Sequence, residues 1–375
     1  ASSSYERNNL NSMYNPQTLT QSTRTSSVSW STNFSSIGLS LSATTNLAQN
    51  MRDSTIQMTL PDLNISLSRF YPFKRKHAVG KERWYEKISM SYTGQLSNSI
   101  STKEDRMLHA NLFKDWKNAF QHTIPVQANF TVFNYINVTP SFNFTDRMYS
   151  KKVLRGWDNV KQKEVVTDTT YGFHNVYNWS MSVGASTKLY GFWTPSRKLF
   201  GDKIQAIRHV ITPQISFSYS PNFGARRYGY YDSYQYTDAS GNVKLVEYSP
   251  YQDELYSVPG KYKTEMISWD VSNNIEMKVK SDKDSTGFRK ISIIDELGAS
   301  MSYNAAADYH RWSDLSVRLR LKWWKNYTFS MNAQFATYAY ELDANGKPYV
   351  GNHTEWGYGR LPRFQGMSQN FSFTL

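Results

Sequence analysis

The sequence predicts an all-β fold, a large antiparallel transmembrane β-barrel of the outer-membrane type with about thirteen strands, and we expect these strands to be part of a complete barrel. Three observations lead to this prediction. Apolar and polar residues alternate with a period of two in many segments, several of these segments are unusually long, and the connections between them alternate in length. No apolar run approaches the roughly 20 residues that a transmembrane helix needs.

Alternation is clearest in residues 315–322, LSVRLRLK, where leucine and valine occupy every second position and serine, arginine and lysine the others. Successive side chains of a strand point to opposite faces, so this segment has one apolar and one polar face. A soluble sheet would bury the leucines, whereas a membrane barrel would turn them to lipid and the polar face to a hydrated interior.

Strand length favours the membrane barrel. Residues 177–189 and 327–339 each keep one apolar phase over thirteen positions. Strands of soluble proteins usually have about 5 to 6 residues, and a tilted strand needs about 9 to 11 to cross a bilayer. The alternative, a soluble β-sandwich, would need a second sheet to cover the apolar face.

Period-two segments occur along the entire chain. The predicted strands are 28–34, 39–43, 56–67, 88–96, 126–132, 136–144, 177–189, 211–219, 269–279, 291–303, 315–323, 327–339 and 371–375. In the third strand the apolar phase shifts by one residue, which predicts a β-bulge at Pro61 and Asp62.

The connections support the same architecture, because outer-membrane barrels have short turns at one end and longer loops at the other. Short turns are predicted near 35–36, 134–135 and 325–326, and long loops over 147–172, 221–264 and 341–367. One segment departs from the pattern: residues 103–120 place Leu108, Leu112, Trp116 and Phe120 at fourfold spacing. That spacing predicts a short amphipathic helix.

Composition limits the function. The chain has 375 residues, 43 Lys and Arg against 30 Asp and Glu, a formal net charge of +13 and no cysteine. A positive excess favours an anionic partner, which could be nucleic acid, an acidic lipid or a polysaccharide. Nucleic-acid-binding barrels are small modules that would recur with linkers, and no such boundaries occur here. We therefore expect no nucleic-acid partner.

No catalytic, cofactor or metal-binding motif is present. Walker loops, dinucleotide fingerprints, zinc-protease helices and nucleophile elbows are all missing from the sequence, and the histidines lack metal-ligand spacing. We expect a protein that is not an enzyme and that needs no cofactor or metal.

One segment carries a family resemblance. Residues 207–223, IRHVITPQISFSYSPNF, contain an Arg-His pair, a proline four residues after the histidine and a second proline after an aromatic strand, at Arg208, His209, Pro213 and Pro221. This arrangement resembles the family of LptD, a lipopolysaccharide-assembly outer-membrane protein. Residues 60–92 and 122–149 are similar to a divergent branch of the same family.

The resemblance implies a barrel in the outer membrane of a Gram-negative bacterium that inserts lipopolysaccharide into the outer leaflet. It also implies three partners: lipopolysaccharide itself, an LptE-like lipoprotein that plugs the barrel, and a periplasmic bridge protein that delivers the lipid through an N-terminal jellyroll. Residues 1–375 would then be the barrel region alone, with the jellyroll and the first strands missing. The alternative function is an outer-membrane channel or a TonB-dependent-type nutrient transporter.

If the resemblance holds, basic side chains on the polar face are candidates to meet the phosphorylated head of the lipid. These candidates are Lys188, Lys278, Lys280, Arg318, Arg320 and Lys322. Each cation would attract phosphate only modestly in a hydrated channel. A solvated face or an ion pair with Asp270 or Glu276 is the alternative for any one of them, and positioning a strand end is the alternative for Arg208 and His209.

Overall fold

Strands make up nearly all of the regular structure. The computed structural model describes residues 2–3, 23–51, 53–77, 79–196, 201, 203–238, 240–281, 287–323 and 327–373. The strands of the first half are β1 (Ser2–Ser3), β2 (Thr23–Phe34), β3 (Leu39–Asn50), β4 (Thr55–Phe70), β5 (Ile88–Lys103), β6 (Lys117–Ala128), β7 (Phe130–Val132), β8 (Ile136–Asp158), β9 (Lys163–Ser186) and β10 (Leu189–Trp193). The second half contains β11 (Ile204–Ser220), β12 (Asp232–Thr237), β13 (Val243–Tyr248), β14 (Thr264–Lys280), β15 (Phe288–Asn304), β16 (Leu315–Trp323), β17 (Tyr327–Ala336), β18 (Tyr338–Leu342), β19 (Pro348–Thr354) and β20 (Arg363–Phe373).

One large sheet contains most of these strands, in the order β1-β2-β3-β4-β5-β6-β8-β9-β11-β14-β15-β16-β17-β20. Strand β7 pairs with β8 and β10 with β11, while β12–β13 and β18–β19 are separate hairpins. Consecutive strands are neighbours and their described registers are antiparallel. The prediction of an all-β, antiparallel fold is therefore confirmed.

Long strands are present, although the two segments predicted to run for thirteen residues are interrupted, because β9 ends at Ser186 and β17 ends at Ala336. Strands β5, β11, β14 and β15 have 16, 17, 17 and 17 residues. These lengths exceed the roughly 5 to 6 residues of an ordinary soluble strand. The described residues contain no helix long and apolar enough to span a membrane.

The chain forms two compact units. Unit 1 comprises residues 1–128, 141–180 and 221–263, and unit 2 comprises 129–140, 181–220 and 264–375. The strands of unit 1 are β1 to β6, most of β8 and β9, and the hairpin of β12 and β13. Unit 2 holds β10, β11 and β14 to β20, together with β7 and the remaining ends of β8 and β9.

In unit 1 the register separates two faces. Leu96 lies opposite Leu63 on β4 and Phe120 on β6, and Phe120 lies opposite Met148 on β8, which gives an apolar row. One position along, Gln95 lies opposite Asn64 and Gln121, a polar row on the other face. The sequence alternation thus becomes a two-faced sheet.

The predicted bulge in β4 is confirmed. The register shifts between Thr59 and Asp62 against β5, and between Thr44 and Asn46 on β3. The shift keeps Met58 and Leu63 on a common apolar phase, because a bulge opposes extra residues to fewer on the partner strand.

The helix predicted over 103–120 is wrong. Its first part is a short 3-10 turn, Glu104–His109, and its last part is the start of β6. From Asn118 onward the side chains point alternately to the two faces of the sheet. Strand β6 is hydrogen-bonded to β5 on one side and to β8 on the other. Sheet pairing outweighs the fourfold apolar spacing, since a helix here would leave two strand edges without partners. Leu112 is 64% exposed whereas Trp116 is 5% exposed, so the four residues do not form one buried stripe.

The long loop predicted over 147–172 is also wrong. Strand β8 continues to Asp158 and β9 begins at Lys163, with a tight turn between them. Asp158 Oδ1 accepts hydrogen bonds from the backbone N–H groups of Val160 (2.9 Å) and Lys161 (3.1 Å), which stabilises this turn. The predicted long connections after β11 and β17 are present, and the latter contains the hairpin of β18 and β19.

Two further predictions fall partly or wholly outside the described residues. The short turn at 325–326 lies outside them, as do residues 374–375 of the last predicted strand. The described part of that strand belongs to β20.

Candidate functional site

The polar face of unit 2 carries most of the predicted site residues. By the polar face of unit 2 we mean the side chains that point to the same side of the sheet as Asp270. They include Gln214 on β11, Ser300 on β15, Ser316 on β16 and Gln334 on β17. The next row along the strands consists of Thr212, Ser272, Gly298, Arg318 and Asn332.

The opposite face of unit 2 is apolar and accessible. Val317 lies opposite Ala299 and Ala333, and Leu319 lies opposite Leu297 and Met331. Leu297 is 39% exposed, so this face is not the dry centre of a sandwich. The separation of leucine and valine from arginine on opposite faces of β16 agrees with the alternation in the sequence.

A β-bulge in β15 places two carboxylates side by side. Between the pairs of Asn273 with Leu297 and of Ile275 with Ile294, β14 has one residue and β15 has two, Asp295 and Glu296. An extra residue redirects side chains that a regular strand would send to opposite faces. Asn274 Nδ2 donates to the backbone oxygen of Asp295 at 2.9 Å, which holds the bulge in place.

Three predicted cations meet these carboxylates. Arg318 contacts Asp270 at 2.6 Å and Glu296 at 3.3 Å. Arg320 contacts Asp295 at 2.5 Å and Glu296 at 3.2 Å, and Lys322 contacts Asp295 at 3.3 Å. We call these six side chains the ion-pair network.

The ion-pair network is half-exposed, and its cations are 34 to 51% accessible. Pairs of this kind contribute little stability individually because water screens them. Their geometric effect is clearer: a Cβ at position 298 would lie 2.9 Å from Arg318 Nη2, so glycine leaves room for the guanidinium to lie across β15. The network fixes cations and anions in alternation on one surface.

The remaining predicted cations have different surroundings. Lys278 Nζ lies 3.9 Å from the centroid of the Phe288 ring, a cation–π contact. Lys280 is exposed at the end of β14, and its backbone N–H donates to Lys203 O at 2.9 Å. Lys188 is exposed between β9 and β10, and no ion pair involves it among the described residues. The network therefore brings together three of the six predicted cations.

The four motif residues divide between the two faces. Arg208 forms an ion pair with its cross-strand neighbour Glu276 at 2.5 Å. His209 Nε2 lies 3.0 Å from Asn273 Oδ1 on the apolar side, next to Trp193. The two side chains tie β11 to β14 near the strand end.

The two prolines also hold different places. Pro213 continues β11 opposite Val271. Pro221 is buried where β11 ends and the connection to β14 begins, in unit 1. The alternation seen in the sequence would have predicted the different facing of Arg208 and His209.

A groove of about 570 Å³ adjoins the ion-pair network on the polar face. Its lining is rich in hydroxyl and carboxylate groups, including six serines, Asp270 and Asp314. The serines are Ser216, Ser268, Ser300, Ser302, Ser313 and Ser316. Such a surface can donate and accept hydrogen bonds with hydrated polar groups.

Sequence reasoning missed a second feature, in unit 1. The connection between β11 and β14, which we call the 221–263 segment, packs on β5, β6, β8 and β9 through a core that includes Tyr149, Phe223, Tyr230 and Tyr251. Tyr149 Oη donates to Tyr256 O at 3.0 Å. The density of tyrosine in residues 228–262 was the available signal.

Hydrogen bonds extend this contact across the unit. Tyr256 Oη donates to Gln95 O at 2.8 Å, and the backbone N–H of Tyr177 donates to Tyr230 Oη at 2.9 Å. Burial raises the pKa of Tyr230 to about 12 and raises the pKa of the Glu254 carboxyl above its usual range. The segment is therefore a packed element of unit 1.

In the part of the chain that the structure describes, no group of three or more His, Asp or Glu side chains is placed to hold a metal ion.

Solved structures give distant matches. The siderophore receptor PiuA from Acinetobacter baumannii is 7% identical with a TM-score of 0.26, and the match covers 93% of this chain and 52% of that one. The hemophore receptor HasR of Serratia marcescens, solved as a double mutant with its hemophore HasA and heme, is 8% identical with a TM-score of 0.24. That match covers 93% of this chain and 65% of the receptor.

No curated protein matches the chain significantly. The family profile described as LptD protein matches residues 1–338, which is most of the 375-residue chain and includes the Arg-His-Pro strand and the ion-pair network. The chain thus belongs to the LptD protein family, whose members are outer-membrane proteins of lipopolysaccharide transport.

Proposed function

We propose that this chain forms the membrane-spanning wall of a translocon that inserts lipopolysaccharide into the outer leaflet of the outer membrane. In this proposal the chain moves the lipid without making or breaking a covalent bond. The apolar face of the strands meets the hydrocarbon, and the polar face meets the hydrated head of the lipid during its passage.

The observation that carries the proposal is the family match over residues 1–338. It covers nearly all the strands whose register separates an apolar from a polar face. A membrane wall must satisfy its backbone hydrogen bonds within the sheet, and the interior strands of the long antiparallel ladders have partners on both sides.

The polar face supports the proposed path. The acidic head of lipopolysaccharide carries phosphates and sugar hydroxyls, and the groove next to the ion-pair network offers serines and paired charges. Paired cations attract an anion less than free ones, because each already contacts a carboxylate. We therefore expect guidance along this surface with weak, reversible contacts, and Lys188 is the predicted cation best placed to meet a phosphate directly.

Partners follow from the same proposal. We infer that an LptE-like lipoprotein contacts the polar face, and that a periplasmic bridge protein delivers lipopolysaccharide to the barrel. The fixed pattern of charges on the polar face could be recognised by complementary side chains of such a plug, since charge complementarity gives specificity.

The test uses a photo-crosslinking residue at Ser316 and, as a matched control, at Val317. These neighbours lie on the same strand and point to opposite faces. In living cells we expect lipopolysaccharide adducts at Ser316 that disappear when cellular energy is depleted. Adducts at Val317 should come from resident bilayer lipid and persist.

Depletion of the protein should also lower the amount of lipopolysaccharide at the cell surface. If surface lipopolysaccharide is unchanged and Ser316 gives no adduct, the proposal is wrong. Energy-dependent uptake of a small solute that requires this protein would then support the channel or nutrient-transporter alternative.

A further inference from the structure

A second concave site lies in unit 1, on the apolar face. It is a cleft of about 580 Å³ whose walls are almost entirely apolar. Leu96, Phe120 and Met148 form one cross-strand row of its lining, and Phe173 and Phe113 complete it. This volume lies within the range of roughly 300 to 1,000 Å³ that is usual for ligand sites.

Phe120 and Met148 belong to the apolar row of the sheet, and successive side chains of a strand point to opposite faces. Their neighbours Ala119 and Tyr149 also border the cleft, and they belong to the buried core that packs against the 221–263 segment. Phe173 is 72% exposed and Tyr171 is 47% exposed at the cleft. The cleft is therefore continuous with the apolar face, which meets hydrocarbon in an outer-membrane protein.

A short turn shapes the rim. Asn111 Oδ1 accepts hydrogen bonds from the backbone N–H groups of Phe113 (2.9 Å) and Lys114 (3.2 Å). Asn118 Nδ2 donates to Leu112 O at 2.7 Å, which ties the turn to β6. Phe113 is 74% exposed at the tip of this rigid turn.

One cation stands beside the apolar tip. Lys114 is exposed, and no ion pair involves it among the described residues. The carboxylate of the neighbouring Asp115 accepts from the backbone N–H of Asn111 at 2.6 Å and so faces the turn itself. An aromatic ring that covers an apolar cleft, next to an available ammonium group, matches a lipid with an acyl chain and an anionic head.

We propose that this cleft binds one acyl chain of an anionic membrane phospholipid, with the phosphate at Lys114. The site is separate from the polar face, and it requires only that the apolar face meets the bilayer. It is therefore independent of whether the chain delivers lipopolysaccharide.

The test reconstitutes the full protein in nanodiscs that contain a trace of phospholipid with a photoactivatable acyl chain, either phosphatidylglycerol or phosphatidylcholine. Crosslinked peptides are then mapped by mass spectrometry. We expect labelling to concentrate on peptides that contain residues 112–120, 148 and 171–173, and to be stronger with phosphatidylglycerol.

Three variants separate the parts of the proposal. Met148→Trp fills the cleft and should reduce labelling there severalfold, while Ile65→Trp, on the apolar face of β4 away from the cleft, should not. Lys114→Gln should lower labelling by phosphatidylglycerol roughly fivefold and leave phosphatidylcholine unchanged. Heat-modifiable gel migration of each variant reports that it has folded.

Labelling spread evenly over the apolar face of the folded protein would overturn the proposal. Equal labelling by the two lipids, unaffected by Lys114→Gln, would overturn the role of the phosphate. Exclusion of the photolipid from the cleft in native membranes, with crosslinks to a protein instead, would assign the cleft to a protein partner and also overturn it.

Discussion

Adjacent residues of β16 face different environments, and this makes a paired test of facing possible. Leu319 lies between Leu297 and Met331 on the apolar face. We expect Leu319→Arg to impair assembly in the membrane, because a cation on the lipid face at mid-depth costs about 2 to 4 kcal/mol. The measurement is the folded fraction in an outer-membrane insertion assay.

The control is the next residue. Arg320→Leu removes a side chain that is 45% exposed, and Asp295 and Glu296 keep Lys322 and Arg318 as partners. Its cost should stay within about 1 kcal/mol. Equal loss of folding in the two variants would contradict the assignment of the faces.

A buried carboxylate in the connection between β4 and β5 provides a pH test. Glu86 is 2% exposed and accepts hydrogen bonds from Arg75 Nε at 2.7 Å and from the backbone N–H of Arg83 at 2.6 Å. The Arg75 hydrogen bond, followed by the Arg83 backbone, lowers the pKa of Glu86 from 4.5 to about 2. The ionised Glu86 carboxylate therefore stabilises the folded protein fully above pH 4.5, and this stabilisation is lost as the pH falls toward 2.

We expect Arg75→Gln to raise the pKa of Glu86 toward 4.5, measured by carbon-detected NMR titration of the labelled carboxyl group. Lys74→Gln is the matched control, because it removes an exposed ion pair with Glu82 and a cation–π contact with Tyr71 but no hydrogen bond to Glu86. An unchanged titration in Arg75→Gln would show that Arg75 does not hold the carboxylate.

Among the structural elements, the 221–263 segment offers the sharpest test. Its packing on the strands of unit 1 includes hydrogen bonds from two tyrosine hydroxyls, those of Tyr149 and Tyr256. We expect Tyr256→Phe to cost about 1 kcal/mol and to increase hydrogen exchange in residues 249–258, because a buried acceptor loses its donor. Mass spectrometry of exchange measures this change.

Tyr262→Phe is the control for this element, since Tyr262 is 80% exposed. Hydrogen exchange of residues 249–258 in the Tyr262→Phe variant should match that in the unaltered protein. Rapid exchange of the segment in the unaltered protein, equal to that of an open loop, would contradict a packed segment.

Strand formation was predictable wherever apolar residues recur at every second position, as in β16, because burial on one face then fixes the phase. It was not predictable for residues 147–158, where polar residues occupy both faces. There β8 is held by hydrogen bonds such as those from the N–H groups of Val153 to Pro250 O (3.0 Å) and of Arg155 to Tyr248 Oη (3.0 Å). These partners lie about a hundred positions away, and local alternation carries no information about them.

The candidate site likewise has one part that local alternation predicts and one part that it does not. The cations of β16 were predictable because they share one phase of a regular strand. Their carboxylate partners depend on the register between strands, and Asp295 reaches Arg320 and Lys322 only because a bulge redirects it. A pairing set by long-range register and an irregular strand cannot be obtained from local spacing.

Across the chain as a whole, the polar face of the strands is suited to water and the apolar face is suited to hydrocarbon. Large side chains such as Trp30, Phe217 and Phe371 are 55, 42 and 59% exposed on described strands. Water would wet these side chains at a cost of roughly 25 cal/mol for each Å² of apolar surface. We therefore expect the sheet to require hydrocarbon cover on its apolar face.

This requirement predicts how folding depends on the medium. We expect the chain to acquire protected strand amides and heat-modifiable gel migration in detergent micelles or phospholipid vesicles, and to aggregate in buffer without them. Protection should be strongest in long strands with partners on both sides, such as β5, β11, β14 and β15. Because a soluble β-sandwich carries its own apolar cover, equal amide protection in detergent-free buffer and in vesicles would mean that another sheet, and not lipid, covers the apolar face.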